Sequence, residues 1–64
     1  MNKQKSKERL FASLKAVDTG DMPYPYGSGA WWAMLEDVVT AFNAQNKTDF
    51  DSDNTVHDYL EQNP

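Results

Sequence analysis

Three aspartates alternate with other residues near the carboxyl end of the chain, at Asp49, Asp51 and Asp53. This spacing is typical of the first half of a calcium-binding loop, in which carboxylates ligate the ion from alternate positions. Counted from Asp49, Asn54 stands where such loops have glycine, and Leu60 stands where they have the bidentate glutamate. We therefore predict no metal site and expect these aspartates to begin a helix, near the positive end of its dipole.

His57 is the only histidine, and it lies four residues after Asp53 and four before Glu61. Side chains at this spacing share one face of a helix, so the three could hold a divalent ion weakly if the helix begins early enough. We favour a simpler interpretation, a solvated polar face beside the apolar stripe of the same helix. The sequence links no nucleophile to the histidine, and we therefore predict no catalytic triad.

The segment Gly27-Ser28-Gly29 precedes a helical pattern and resembles a phosphate-binding turn. It lacks the full glycine spacing, the preceding strand and the lysine that phosphate-binding loops carry. We interpret the segment as a flexible joint in which Ser28 caps the helix that follows.

The size and composition of the chain exclude several classes of protein. It has 64 residues and no cysteine, which excludes a disulfide-stapled domain and a thiolate zinc site. A substrate cleft takes on the order of 300–1,000 Å³, which a domain of this size rarely encloses, so we expect no enzyme activity and no cofactor. The chain has neither an apolar run of about 18 residues nor the apolar core of a signal peptide. We therefore expect a cytoplasmic protein with no membrane partner.

Apolar residues recur at helical spacing in three segments, and no segment alternates as a strand does. The connections between these segments are short. The pattern predicts an all-α fold, a single small three-helix domain over residues 1–64, with helices at about residues 6–18, 29–46 and 53–62.

The first helix is indicated by Leu10, Leu14 and Val17, which fall on one helical stripe. Continued towards the amino terminus, the stripe passes through lysines, so the core face should begin near Leu10. We expect residues 1–6 to fray or extend as a basic arm. Gly20 is placed to end the helix.

The second helix has the widest apolar face, roughly half of its circumference on a helical wheel. One neighbouring helix covers only about 100° of the circumference, so this helix should be central, with a helix packed against it on two sides. Adjacent tryptophans point about 100° apart, so either both Trp31 and Trp32 are buried by these two neighbours, or Trp32 stays partly exposed. The apolar face contains Trp31, Trp32, Met34, Leu35, Val38, Val39, Ala41 and Phe42, and the polar face contains Glu36, Asp37, Thr40 and Asn43.

The third helix follows an acidic linker in which Ser52, Asp53 and Thr55 compete as N-cap. Thr55 with Asp58 three residues later forms a capping-box pattern, and Phe50 is placed to staple the helix start to the core. The apolar stripe consists of Val56, Tyr59 and Leu60.

Charge is divided along the chain. Residues 1–15 contain five basic residues and one acid, a balance of +4, whereas residues 16–64 contain one lysine and nine acids, a balance of −8. The basic end could contact a phosphate backbone, or it could pair with the acids of the same chain. Most of the molecule would repel nucleic acid, so we do not expect a nucleic-acid partner.

Eight large aromatic rings in 64 residues are an excess. Tyrosine and tryptophan are favoured anchors of protein interfaces, and acids around them would form a charged rim. We predict that a partner protein contacts Tyr24, Tyr26, Trp32, Glu36, Asp37, Asp49, Asp51, Asp53 and Asp58.

These features favour a small acidic module that docks on a larger protein with a basic surface, as an inhibitor or adaptor. In size and acidity the chain resembles the small host-takeover proteins of phages, a resemblance of type only. A sharper hypothesis is nucleic-acid mimicry by seven carboxylates. These are Glu36, Asp37, Asp49, Asp51, Asp53, Asp58 and Glu61. The alternatives to a docking module are a homo-oligomeric assembly protein and nucleic-acid binding through the basic arm.

Overall fold

The computed structural model describes residues 3–62, and in this range it contains three α-helices and no strand. They are α1 (Lys3–Thr19), α2 (Gly29–Asn46) and α3 (Ser52–Gln62). Both α1 and α3 pack against α2, which makes α2 the central helix. The predicted all-α, three-helix architecture is confirmed.

Helix α1 begins earlier than its apolar pattern predicts. It starts at Lys3, and Ser6 is buried with only 3% of its surface exposed, one turn before the buried Leu10 and Leu14. The core face therefore extends one turn towards the amino terminus, because a small serine is accommodated there where the pattern shows no apolar residue. Residues 3–6, which we assigned to a basic arm, belong to α1; the other two residues of that arm lie outside the described range.

Gly20 follows the last residue of α1, as the sequence predicts. A Cβ atom at this position would lie 2.6 Å from the backbone oxygen of Ala16, which is closer than real Cβ contacts come. Only glycine lets the chain leave the helix along this path.

Helix α2 is capped at both ends. The hydroxyl oxygen of Ser28 accepts a hydrogen bond from the Trp31 backbone N–H at 3.1 Å, which confirms the predicted N-cap. At the other end Lys47 adopts a left-handed conformation (φ 55°) and donates its backbone N–H to the Asn43 carbonyl. Between these caps the core-facing residues are Trp31, Leu35, Val39 and Phe42.

The connection from α2 to α3 is organised by Asn43, which we placed on the exposed polar face of α2. Its side chain is half-buried instead. Its Oδ1 accepts from the Thr48 hydroxyl at 2.8 Å and from the Phe50 N–H at 3.0 Å, and its Nδ2 donates to the Phe50 carbonyl at 2.9 Å. The polar position is therefore structural, because one amide satisfies three polar groups of the connection.

The N-cap of α3 is Asp51, not one of the three candidates that the sequence suggested. Its Oδ1 accepts from the Asn54 N–H at 2.9 Å, and its carbonyl accepts from the Thr55 N–H at 2.9 Å. Thr55, which the capping-box pattern favoured, is buried inside the first turn. Phe50 precedes the cap and packs against the core with its ring 6.2 Å from that of Phe42, as predicted.

One carboxylate joins all three helices. Asp18, in the last turn of α1, accepts a hydrogen bond from Trp31 Nε1–H of α2 at its Oδ1, over 2.9 Å. Its Oδ2 accepts from the Tyr59 hydroxyl of α3, over 3.0 Å. A negative charge is unfavourable at a helix C-terminus. The two donors offset that cost, and the acid in turn satisfies the only polar groups of two buried aromatic side chains.

Replacing this acceptor should destabilise the whole fold. In Asp18→Ala the Trp31 and Tyr59 donors lose their partner in a buried site, so we expect the free energy of unfolding to fall by about 2–4 kcal/mol. A core of this size rarely supplies more than ~3–5 kcal/mol, so the variant should be near its unfolding midpoint in water. Urea unfolding followed by circular dichroism measures the change. The matched control is Asp21→Ala, an exposed acid, which should stay within about 0.5 kcal/mol; an equal loss in both variants would contradict the bridging role.

The same contact makes stability depend on alkaline pH. Burial, and then the hydrogen bond and negative charge of Asp18, raise the pKa of Tyr59 from 10.0 to about 12. The folded state holds this proton more tightly than the unfolded state, so the stabilisation is complete below pH 10 and is lost as pH rises towards 12. We expect the free energy of unfolding of the parent protein to fall by on the order of 2 kcal/mol over this interval. Tyr59→Phe should show a shallower slope, and parallel slopes in the two proteins would refute the linkage.

Candidate protein-binding surface

The loop between α1 and α2 presents two tyrosines. Residues 20–28 contain Pro23, just before Tyr24, and Pro25, just before Tyr26. Each proline fixes its own φ and restricts the residue that precedes it. A turn follows, in which the Ser28 N–H donates to the Pro25 carbonyl at 3.1 Å. Tyr24 is 43% exposed and Tyr26 is 78% exposed, and these are the exposed large hydrophobic side chains among residues 3–62.

Tyr26 is exposed but not unsupported. Its ring centroid lies 4.6 Å from that of Trp31, with the two planes tilted by 50°. Trp31 is itself held by the Ser28 cap and by Asp18. The tyrosine therefore rests with one face on a fixed indole and the rest of its ring in solvent.

Tyr24 lines a shallow groove of about 370 Å³ on the side of α2 that α1 and α3 leave open. The groove floor consists of exposed alanines and the half-buried Met34, and an aspartate stands at its end. We call this the Tyr24 groove; it is lined by Tyr24, Ala30, Ala33, Met34 and Asp37.

Two of the nine predicted contact residues, Tyr24 and Asp37, meet in this groove. Asp37 is exposed, and its carboxylate has no hydrogen bond or ion pair within the part of the chain that the structure describes. Glu36, the preceding residue, is half-buried and does not line the groove. The acid of the groove is thus available to a partner.

Trp32 and Asp53 belong to a different surface, where α3 crosses α2. The sequence left open whether Trp32 is buried or partly exposed. In the structure Trp32 is half-buried, so it is partly exposed. Its ring lies 4.8 Å from the His57 ring, and Asp53 Oδ1 lies 3.7 Å from His57 Nε2. Trp32 is separated from the groove residues of α2 by about 100–160° around the helix, so the predicted anchors do not form one continuous patch.

The remaining acids of the predicted set differ in availability. Asp58 lies 3.5 Å from Lys7 Nζ, an ion pair between α3 and the basic end of the chain. Asp51 is committed to the N-cap described above. Asp49 is exposed in the connection, and its carboxylate makes no hydrogen bond or ion pair among the described residues.

Sequence reasoning missed Ala30, Ala33 and Met34 as surface residues. Met34 was counted in the apolar face that two neighbours would cover, and the alanines were not considered. A signal for their exposure was present on the helical wheel, where Ala33 lies almost opposite Trp31 and Met34 lies at the edge of the apolar arc.

Residues 3–62 contain no cluster of three side chains that could ligate a metal; Asp53 and His57 lie together without Glu61. No helix in this range combines the length and apolar character needed to cross a bilayer. Comparisons with models of known protein families, with curated proteins and with solved structures find no match. Function must therefore be argued from the surfaces themselves.

The structure separates a capping acid from a free one, and stability should follow that difference. Asp51→Ala removes the N-cap acceptor of α3 and should lower the free energy of unfolding by about 1 kcal/mol. Asp49→Ala removes an acid of the same linker that caps nothing and should change it by less than about 0.5 kcal/mol. Thermal unfolding of the two variants side by side measures both values, and the opposite ranking would reassign the cap.

Proposed function

We propose that the chain is a small protein-binding module that docks on a larger protein through the Tyr24 groove and the adjacent Tyr26, as an inhibitor or adaptor. The observation that carries this proposal is the exposure of both loop tyrosines, one lining an open groove and the other resting on Trp31. Tyrosine is enriched among residues that dominate binding energy.

The loop supports the proposal because it reduces the entropy that docking would cost. Pro23 and Pro25 limit the backbone, and the contact with Trp31 limits the ring of Tyr26. Side chains held near their bound conformation lose less freedom on association than flexible ones do. Met34 adds an adaptable apolar contact in the floor of the groove.

Charge supports a basic partner. Residues 16–64 carry a balance of −8, and Asp37 places one unpaired carboxylate in the groove itself. A field of this sign accelerates encounters with a positively charged protein surface.

Nucleic-acid binding through the basic end and nucleic-acid mimicry by the acids have less support. Two basic residues of the N-terminal segment are engaged within the chain, Lys7 with Asp58 and Arg9 with Asn46 Oδ1 at 3.1 Å. Such contacts compete with binding to phosphates. Of the acids in the mimicry hypothesis, Asp51 and Asp58 are likewise engaged. Homo-oligomerisation stays an alternative that the mass of the protein in solution would test.

The experiment is affinity capture from nuclease-treated lysate of the source cell, with bait variants that each differ at one exposed alanine. Ala33→Glu places a charged side chain in the groove, whereas Ala12→Glu makes the same change on α1, outside the groove lining. We expect one stoichiometric protein to be retained at high salt by the parent and by Ala12→Glu, and at least tenfold less by Ala33→Glu.

Circular dichroism first establishes that both variants are folded. Equal capture by the two glutamate variants would remove the groove from the interface. Recovery of the bait alone, with a mass above 7.3 kDa in solution, would replace this proposal with the homo-oligomer.

A further inference from the structure

We infer that the occupant of the Tyr24 groove is an amphipathic α-helix of another protein, carrying a lysine or arginine among small apolar residues. This inference rests on the proposed function and specifies the chemistry of the partner. It follows from three properties of the groove: which atoms form its floor, how they are spaced, and what charge stands at its end.

The floor of the groove is the side of a helix. The backbone hydrogen bonds of α2 are made within the helix, so the floor offers no free backbone edge to an extended peptide. A partner segment must therefore satisfy its own backbone, as a helix does. A polyproline segment would need a groove lined by several aromatic rings, and here one ring, that of Tyr24, lines it.

The spacing of the floor residues suits a second helix. Ala30, Ala33, Met34 and Asp37 lie at positions i, i+3, i+4 and i+7, which form one stripe about two turns long. Alanines let a neighbouring helix approach closely, and Met34 adapts its shape to the side chains that enter. Tyr24 stands beside this stripe and supplies a lateral wall.

Charge argues against a two-fold dimer of this chain through the groove. Covering the groove would partly desolvate Asp37, which has no cationic partner among the described residues. A second copy packed two-fold through the same groove would bring another Asp37 and no lysine or arginine, because the lining contains neither. A helix with a cation at the matching position satisfies the carboxylate instead.

The test is a selection from a displayed library of helical miniproteins, each with one face randomised. The baits are the full-length chain and two charge reversals, Asp37→Lys in the groove and Glu8→Lys on the exposed side of α1. Against the parent we expect Lys or Arg to be enriched among small apolar residues on the selected face. Against Asp37→Lys the enrichment should change to Asp or Glu, and against Glu8→Lys it should stay as in the parent.

The affinity of a selected basic helix should fall by about fivefold or more for Asp37→Lys and stay constant for Glu8→Lys, measured by fluorescence titration. Asp37→Asn, which keeps the size of the side chain, should give an intermediate loss. The inference is overturned if no helix is selected, if the selected face has no basic preference, or if the Asp37 variants bind equally well. A dimer of the parent in sedimentation that Ala33→Glu dissociates would also overturn it, in favour of a second copy.

These outcomes are distinct from failure of the proposed function. If the capture experiment retains a groove-dependent protein but the library yields no basic helix, the groove is an interface and only the chemistry of its partner is wrong. If capture does not depend on the groove, the proposed function itself fails.

Discussion

The carboxylate of Asp18 is the contact on which the arrangement of the helices depends. Each of its oxygens accepts one hydrogen bond, from Trp31 of α2 and from Tyr59 of α3, while the residue itself belongs to α1. Trp31 and Tyr59 are the two largest aromatic side chains with almost no exposure, so their polar atoms have few other places to find a partner. An apolar core alone would let the helices slide; two hydrogen bonds on one rigid group fix their relative positions.

The same carboxylate shapes the loop that carries the exposed tyrosines. Asp18 lies just before that loop and Trp31 just after it, so their 2.9 Å hydrogen bond ties its two ends together. Tyr26 then packs, at a tilt of 50°, against the ring that this bond orients. The stability of the fold and the presentation of the candidate docking surface are therefore coupled: a change that frees Trp31 would loosen the core and release Tyr26 at once.

The sequence carries enough information for the local features of this fold and too little for its long-range polar contacts. Leu10 and Leu14, the wide face of α2, the Ser28 cap and the Gly20 stop each follow from spacing within a few residues. The partners of Asp18 lie 13 and 41 residues away, and no local pattern points to them. The N-cap of α3 was misassigned because several capping residues stand in succession there, and the choice among them is made by how Phe50 enters the core. The candidate docking surface was predicted as one acidic, aromatic patch, but Trp32 and Asp53 lie on a different surface from Tyr24 and Asp37, since a linear set of residue types does not show which of them share a surface.

The open flank of α2 follows from the number of helices. The other helices, α1 and α3, cover the side of α2 that carries Trp31, Leu35, Val39 and Phe42, and residues 3–62 supply no third helix for the side that carries Ala33 and Met34. The third flank carries alanines, whose exposed apolar area is small, and its larger residue, Met34, is half-buried beside Tyr24. Leaving this flank exposed to solvent therefore lowers the free energy of unfolding of the isolated chain only slightly. A partner helix of the kind proposed above would gain the contacts of Tyr24 and Met34 and supply a counterion for Asp37, and for this reason we propose the flank that the fold leaves open as the docking surface.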